Sequence, residues 1–207
     1  MKINTDKNAI EQFLSHGIER VLPTTEGLKE KLLKGERISA YLGMDATGQL
    51  HLGHALMMSK LAELQALGHH VILLIGTFTS IIGDPTDKTA ARVQQTPEQV
   101  KEYAKNYLKL ASRFLSFDGE NPCEVRYNGD WYSKMTFEEV IQLSSHFTVQ
   151  QMLERDMFEK RMKEDKPIYL HEFFYPLMQG YDSVVLDVDL EIGGNDQTFN
   201  MLAGRDL

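Results

Sequence analysis

The chain has 207 residues, 42% of them apolar and 25% charged, enough for one ordinary domain with a sizeable core and room for a second small one. Lys+Arg 22 against Asp+Glu 30 leaves a net charge of −8, which excludes a broadly basic surface for gripping nucleic acid, so any RNA contact must be local or lie outside these residues. A lone cysteine, Cys123, excludes an intrachain disulfide framework and fits a reducing cytoplasm; the polar start has no signal-peptide core, and the longest apolar run, Val71 to Gly76, is too short to span a bilayer.

Ile10, Phe13, Leu14, Ile18 and Val21, then Leu28, Leu32 and Leu33, predict a helical lead-in over Asn8 to Lys34, broken near Leu22-Pro23. Arg37 to Met44 reads as a strand feeding the turn Asp45-Ala46-Thr47-Gly48. From His54 to Leu67 the apolar residues recur at helical intervals, with Gly68 placed for a left-handed C-terminal cap; Val71 to Gly76 then reads as a buried parallel strand. Strand, helix and strand together form the first half of a doubly wound nucleotide-binding sheet. Thr96-Pro97-Glu98-Gln99 predicts a helix to about Leu115, Glu124 to Tyr127 a strand, and the capping boxes at Thr136 and Thr148 two more helices. The charged stretch Glu154 to Lys166 reads as a solvated helix face and connection. Phe173 to Met178 predicts a buried helix. Val184-Val185-Leu186 and Leu190-Glu191-Ile192 frame a last strand, and Gly193-Gly194 turns into a final helix. The alternation is that of the α/β class.

Leu50-His51-Leu52-Gly53-His54 lies where a strand-end loop meets a helix. Two histidines at i and i+3 reach similar sides of the first helical turn, and Gly53 between them leaves the backbone open to a bulky ligand. A helix N-terminus offers unpaired N–H groups and positive potential, so the combination reads as a triphosphate cradle; a zinc pair or a plain helix cap are the alternatives. Tyr175, Gln179 and Asp182, at i, i+4 and i+7, put a polar stripe on one face of an apolar helix, which favours a pocket. Taken singly, Tyr175 could be a core aromatic, Asp84 a turn residue before Pro85, and Asp182 a helix cap.

His51-Leu52-Gly53-His54 resembles the HIGH signature of class I aminoacyl-tRNA synthetases, and Tyr41 to Gly48 is similar to the tyrosyl-tRNA synthetase form of that strand and loop. Ile82-Gly83-Asp84-Pro85, Tyr175-Pro176-Leu177-Met178-Gln179-Gly180-Tyr181-Asp182 and Ile192-Gly193-Gly194-Asn195-Asp196-Gln197 follow in family order. The resemblance implies a Rossmann-like doubly wound parallel sheet, with a helical lead-in over 1–36, a catalytic domain over 37–207 and a helical insertion at about 115–166. It implies that tyrosine is activated by ATP to tyrosyl-adenylate and pyrophosphate, then passed to tRNA(Tyr) in the full-length enzyme. Alternatives are a tyrosine- and ATP-binding module without useful turnover, or another HIGH-type enzyme such as the tryptophan one.

By the same resemblance Tyr41 and Asp182 bind the phenol hydroxyl, Asp84, Tyr175 and Gln179 hold the ammonium group, and Gln197 lies near that pocket. Gly43 and Asp45 face the adenylate, Thr47 and His51 stabilise the terminal phosphates, Gly53 and His54 lie by the ribose and α-phosphate, and Gly194 and Asp196 bind the ribose. Magnesium arrives with ATP, with no dedicated protein cage and no tightly bound cofactor. The resemblance further implies a homodimer joined through the insertion, and tRNA contacts mostly outside these residues. Leu42, Met57, Asn195 and Thr198-Phe199 depart from the family pattern, Met58-Ser59-Lys60 is a helical decoy, and the KMSKS signature expected after the last motif does not occur before Leu207.

Overall fold

The computed structural model describes residues 2–47, 50–85 and 96–207. Helices α1 (Lys7–Ser15) and α2 (Thr25–Lys34) precede strand β1 (Ser39–Asp45), helix α3 (Leu52–Ala66) and strand β2 (His70–Gly76). Then come α4 (Thr79–Ile82), α5 (Pro97–Ala111), β3 (Glu124–Tyr127), α6 (Gly129–Tyr132), α7 (Phe137–Ser144), α8 (Val149–Leu153) and α9 (Asp156–Lys163). A 3-10 turn at Leu170–Phe173 leads into α10 (Phe174–Leu186), β4 (Leu190–Ile192), a second 3-10 turn at Asn195–Gln197 and α11 (Thr198–Asp206).

All strand pairings are parallel, in the order β3-β2-β1-β4. The chain steps outward from β1 to β3 and then returns to the far side of β1. That reversal makes the gap beyond the C-terminal ends of β1 and β4 the topological switch point, where open α/β sheets bind ligands.

Period-two alternation sorts the strands onto two faces. Ala40, Leu42 and Met44 of β1, with Val71, Leu73 and Ile75 of β2, join Ile10, Phe13, Leu32, Leu61 and Leu64 in the larger core, so α1, α2, α3 and α5 cover that face. The lead-in is thus part of the main core. Tyr41, Ile72 and Leu74 face the other way, against Leu186, Val188 and Trp131. Gly43 and Asp45 share that second face, beyond Tyr41, and open it toward the switch point.

Sequence expectations hold for β1, α3 and β2, and Gly68 has the left-handed φ of +93° that its capping place requires. Thr96, Thr136 and Thr148 each cap their helix through the side-chain oxygen, as the capping boxes predict. The helix after Thr96 ends at Ala111, short of Leu115. The stretch read as a helical insertion begins with β3, which pairs with β2 inside the sheet.

Two expectations are overturned. Val184-Val185-Leu186 is the end of α10, stopped by Asp187 at φ +48°, and only Leu190–Ile192 is strand. The charged stretch after Glu154 is not wholly solvated: Arg155 and Arg161 are buried, the latter paired with buried Glu172.

Helices α10 and α11 cross closely because Gly180 and Gly204 face each other. A Cβ on Gly180 would stand 2.8 Å from the Gly204 nitrogen and 2.9 Å from the Ala203 carbonyl carbon, both backbone. Gly180→Ala should therefore force the helices apart and lower stability by roughly 1–3 kcal/mol, measured by urea unfolding.

Candidate active site

A cavity of about 1090 Å³ opens at the switch point. Every residue singled out in the sequence lines it: Tyr41, Gly43, Asp45, Thr47, His51, Gly53, His54, Asp84, Tyr175, Gln179, Asp182, Gly194, Asp196 and Gln197. β1 supplies the floor, the start of α3 one rim, α10 one wall and the turn after β4 another.

His51 is the N-cap of α3, and its backbone N–H donates to Nδ1 of His54 at 3.3 Å, with the two rings 3.9 Å apart. The cap and the open helix end coexist. Burial, then the neighbouring His51, lowers the His54 pKa, so His54 is neutral near pH 7 and with Nδ1 accepting it carries its proton on Nε2, a donor. Among the described residues no group of three His, Cys, Asp or Glu forms a metal set. Lys60, in the decoy, is buried and donates to the carbonyls of Phe13 and His16, tying α1 to α3.

Asp45, at the end of β1, accepts from the Thr79 hydroxyl at 2.6 Å and the Tyr175 hydroxyl at 2.9 Å. A Cβ on Gly76 would overlap the Asp45 carboxylate and the Thr79 hydroxyl, which is why that strand ends in glycine. Asn128, fully buried, donates from its Nδ2 to Thr79 at 2.9 Å and to Asp182 at 3.2 Å. Trp131 Nε1 donates to the other Asp182 oxygen at 3.0 Å. One hydrogen-bonded line thus runs from Asp182 through Asn128, Thr79 and Asp45 to Tyr175. Burial pushes the Asp182 carboxyl up to about 8, against the pull of its hydrogen bonds, and drives Tyr175 and Tyr41 well above the usual phenol range.

A second line crosses the opposite wall. Asn200, fully buried on α11, donates to Gln179 at 2.9 Å and to Gln197 at 2.8 Å, so both glutamines turn their NH2 groups outward. Gln179 donates to Glu191 at 3.2 Å, and Gln197 donates to Asp84 and Asp196, each at 2.7 Å. Burial raises the Glu191 carboxyl to about 7.

Sequence reasoning passed over Thr79, Asn128, Trp131, Asn200 and Glu191, and also Arg20 and Arg155. Arg20, a cavity-lining residue in the connection between α1 and α2, donates to Asn195 at 2.7 Å and Thr198 at 2.8 Å, two of the positions that depart from the family pattern. Arg155 is stacked against Phe158 and Phe199; burial lowers it to about 10, and the charge of Asp84 holds it up. The only readable signals were the amide and charge themselves, since their partners lie far away in sequence.

A family model described as tRNA synthetases class I (W and Y) matches residues 33–207. The tyrosine–tRNA ligase of Chlorobaculum tepidum is 47% identical over 206 residues, covering 97% of this chain and 50% of the relative. That of Carboxydothermus hydrogenoformans is 45% identical over 213 residues, covering 100% and 50%. A C-terminally truncated mitochondrial tyrosyl-tRNA synthetase from Aspergillus nidulans superposes with a TM-score of 0.83 at 27% identity, over 96% of this chain and 59% of that one. The chain spans about half the length of the curated relatives it matches. With the HIGH-like helix start, the parallel sheet and the cavity at its switch point in agreement with these matches, the chain belongs to the class I tRNA synthetases of the W and Y family.

Proposed function

We propose that this chain binds L-tyrosine and ATP in the switch-point cavity and joins them as tyrosyl-adenylate, the first half of a tyrosine–tRNA ligase reaction. The observation that carries the reading is the convergence on one cavity of a buried carboxyl on a helix wall, Asp182, and a helix N-terminus bearing two histidines. Asp182 and Tyr41 receive the phenol at the closed end; Asp84, with Tyr175 and Gln179 and beside Gln197, receives the ammonium group. The adenylate and ribose lie along Gly43, Asp45, Gly53, His54, Gly194 and Asp196. The substrate carboxylate attacks the α-phosphorus, the bond to the bridging oxygen breaks, and pyrophosphate leaves. Thr47 and His51 stabilise the charge that grows on the departing phosphates, and positioning supplies most of the acceleration. Magnesium enters as part of the ATP substrate.

Transfer to tRNA(Tyr), held mostly outside these residues, completes the proposed reaction. A homodimer fits the exposed Phe137, Ile141 and Val149 of α7 and α8, which are 79%, 55% and 63% exposed. A cytoplasmic setting fits the buried free thiol of Cys123, and no helix among the described residues is long and apolar enough to cross a membrane.

The test is tyrosine-dependent ATP–pyrophosphate exchange. His51→Ala should slow exchange by about 10²–10³ while leaving tyrosine affinity in place, because the lost donor acts on the phosphates. Exchange no faster with tyrosine than with tryptophan or phenylalanine would remove the reading.

A further inference from the structure

The connection between α1 and α2 forms a wall of the cavity, with Gly17, Ile18, Arg20 and Val21 among the lining residues. One end of this strap is fastened to α3, the helix that begins at the two histidines. The Lys60 ammonium donates to the carbonyls of Phe13 and His16, each at 2.8 Å, and stands 4.5 Å from the centre of the Phe13 ring. Gly17, at φ +65°, then carries the chain past the side chains of Leu56 and Lys60 on that helix.

The other end is fastened to the turn after β4. Arg20 donates from one terminal nitrogen to the Asn195 side-chain oxygen at 2.7 Å and to the Thr198 hydroxyl at 2.8 Å. The Thr198 hydroxyl in turn donates to the Asn195 carbonyl at 2.7 Å, so the two residues act as one receptor for the guanidinium. They stand on either side of Asp196, and neither is charged, so the contact orients the turn without competing for a carboxylate. That turn is poorly restrained by its own chain. β4 is a strand of three residues at the sheet edge, and Gly193-Gly194, which follow it, have the widest backbone freedom of any residue type. A Cβ on Gly194 would overlap the Asp196 carboxylate, so the acid lies against its own turn and moves with it. From His16 to Arg20 the strap spans at most about 14 Å, which limits how far Asp196 can move from the start of α3.

We propose that Arg20 is a positioning residue for the nucleotide: it latches the strap to the turn after β4 and so holds Asp196 where a ribose hydroxyl meets its carboxylate. The inference rests on the tyrosyl-adenylate reading and deepens it, because it makes the lead-in part of ribose recognition. With the latch closed, the turn is ordered before the nucleotide arrives, and binding does not have to supply that order. Arg20→Met keeps an unbranched apolar stem and removes both donors.

Tyrosinyl adenylate, in which the reactive carbonyl is reduced to a methylene, tests this by calorimetry without turnover, alongside its 2′-deoxy and 3′-deoxy forms and free tyrosine. On the unaltered chain the complete ligand should bind at least tenfold more tightly than one of the two deoxy forms. Arg20→Met should weaken the complete ligand about tenfold and leave that deoxy form and free tyrosine within threefold, so that the preference for ribose collapses. Arg20→Lys, which keeps a donor without the planar fork, should recover part of the preference. Thr198→Val, which removes an acceptor from the other side of the latch, should lower the preference and add nothing to Arg20→Met. A merely structural Arg20 would weaken all the ligands alike. That result overturns the inference, as does an intact preference in Arg20→Met; should that variant not fold, an intact preference in Thr198→Val overturns it. Equal binding of the complete and deoxy ligands by the unaltered chain removes the roles of Arg20 and Asp196 and leaves the tyrosine reading; absence of tyrosine binding removes the reading and this inference together.

Discussion

Asp182→Asn should make the ligand-free protein more stable above neutral pH and weaken tyrosine binding by one to two orders of magnitude. Burial raises the Asp182 carboxyl from 3.8 to about 8. Below about pH 4 the group is protonated in the folded and unfolded chain alike, and it carries no penalty. Between about pH 4 and pH 8 the folded chain keeps a proton that the unfolded chain releases, so stability falls as pH rises, by about 1.4 kcal/mol per unit for this group alone. Asparagine is neutral throughout and still offers an oxygen to Trp131 or Asn128, so the slope should flatten. Glu191, raised to about 7 by the same burial, leaves a smaller residual slope that ends earlier. For the ligand, at pH 9, where the Asp182 carboxyl is ionised, asparagine removes a charge-assisted hydrogen bond worth about 1.5–3 kcal/mol, a loss of roughly 10–150-fold in affinity. Urea unfolding at pH 5, 7 and 9 and calorimetric titration with tyrosine read both effects. An unchanged slope would mean that Asp182 is solvated, and unchanged affinity that the phenol does not reach it.

The parts of the fold that rest on local signals were legible. The β1–α3–β2 unit declares itself through an uninterrupted apolar strand, a helical period and Gly68, and the threonine caps mark their helices within a residue. Val184 to Leu186 misleads because a β-branched apolar run suits a strand as well as a buried helix, and the deciding feature, the left-handed turn at Asp187, is not encoded by a glycine. The site was legible only where its residues share an element or a motif. Glu191 reads as the polar member of a short strand until β4 is paired with β1, which brings it beside Tyr41. Arg20 finds its partners at Asn195 and Thr198 across most of the chain, and Asp45 finds Tyr175 130 positions away. The solvated reading of the stretch after Glu154 fails for the same reason: a helix with so many charges does not reveal which of them has a buried partner.

That partner gives the second large effect. Arg161 of α9 is 2% exposed and donates to Glu172 through both terminal nitrogens, one of them at 2.9 Å, and also to the Pro167 carbonyl. Glu172 accepts in addition from the Tyr169 backbone N–H at 2.9 Å. Burial works against ionisation of Glu172, and the Arg161 hydrogen bond, with help from the Tyr169 N–H, outweighs it and lowers the pKa. The pair fastens α9 to the turn that launches α10, the helix bearing Tyr175, Gln179 and Asp182. Arg161→Met should therefore cost about 3–5 kcal/mol, a large share of the stability of an ordinary domain, because the carboxylate stays buried with its countercharge gone. The pair itself is a poor source of net stability: the Arg161 Nε is buried and makes no hydrogen bond, so part of the guanidinium's desolvation is never offset. The double change Arg161→Met with Glu172→Leu should accordingly regain most of what the single change loses. Urea unfolding of the two variants against the unaltered chain decides this. A loss below about 1 kcal/mol in the single variant would place the pair in the weak class of surface ion pairs, and failure of the double variant to recover would show that the charges hold the α9–α10 geometry and not merely each other.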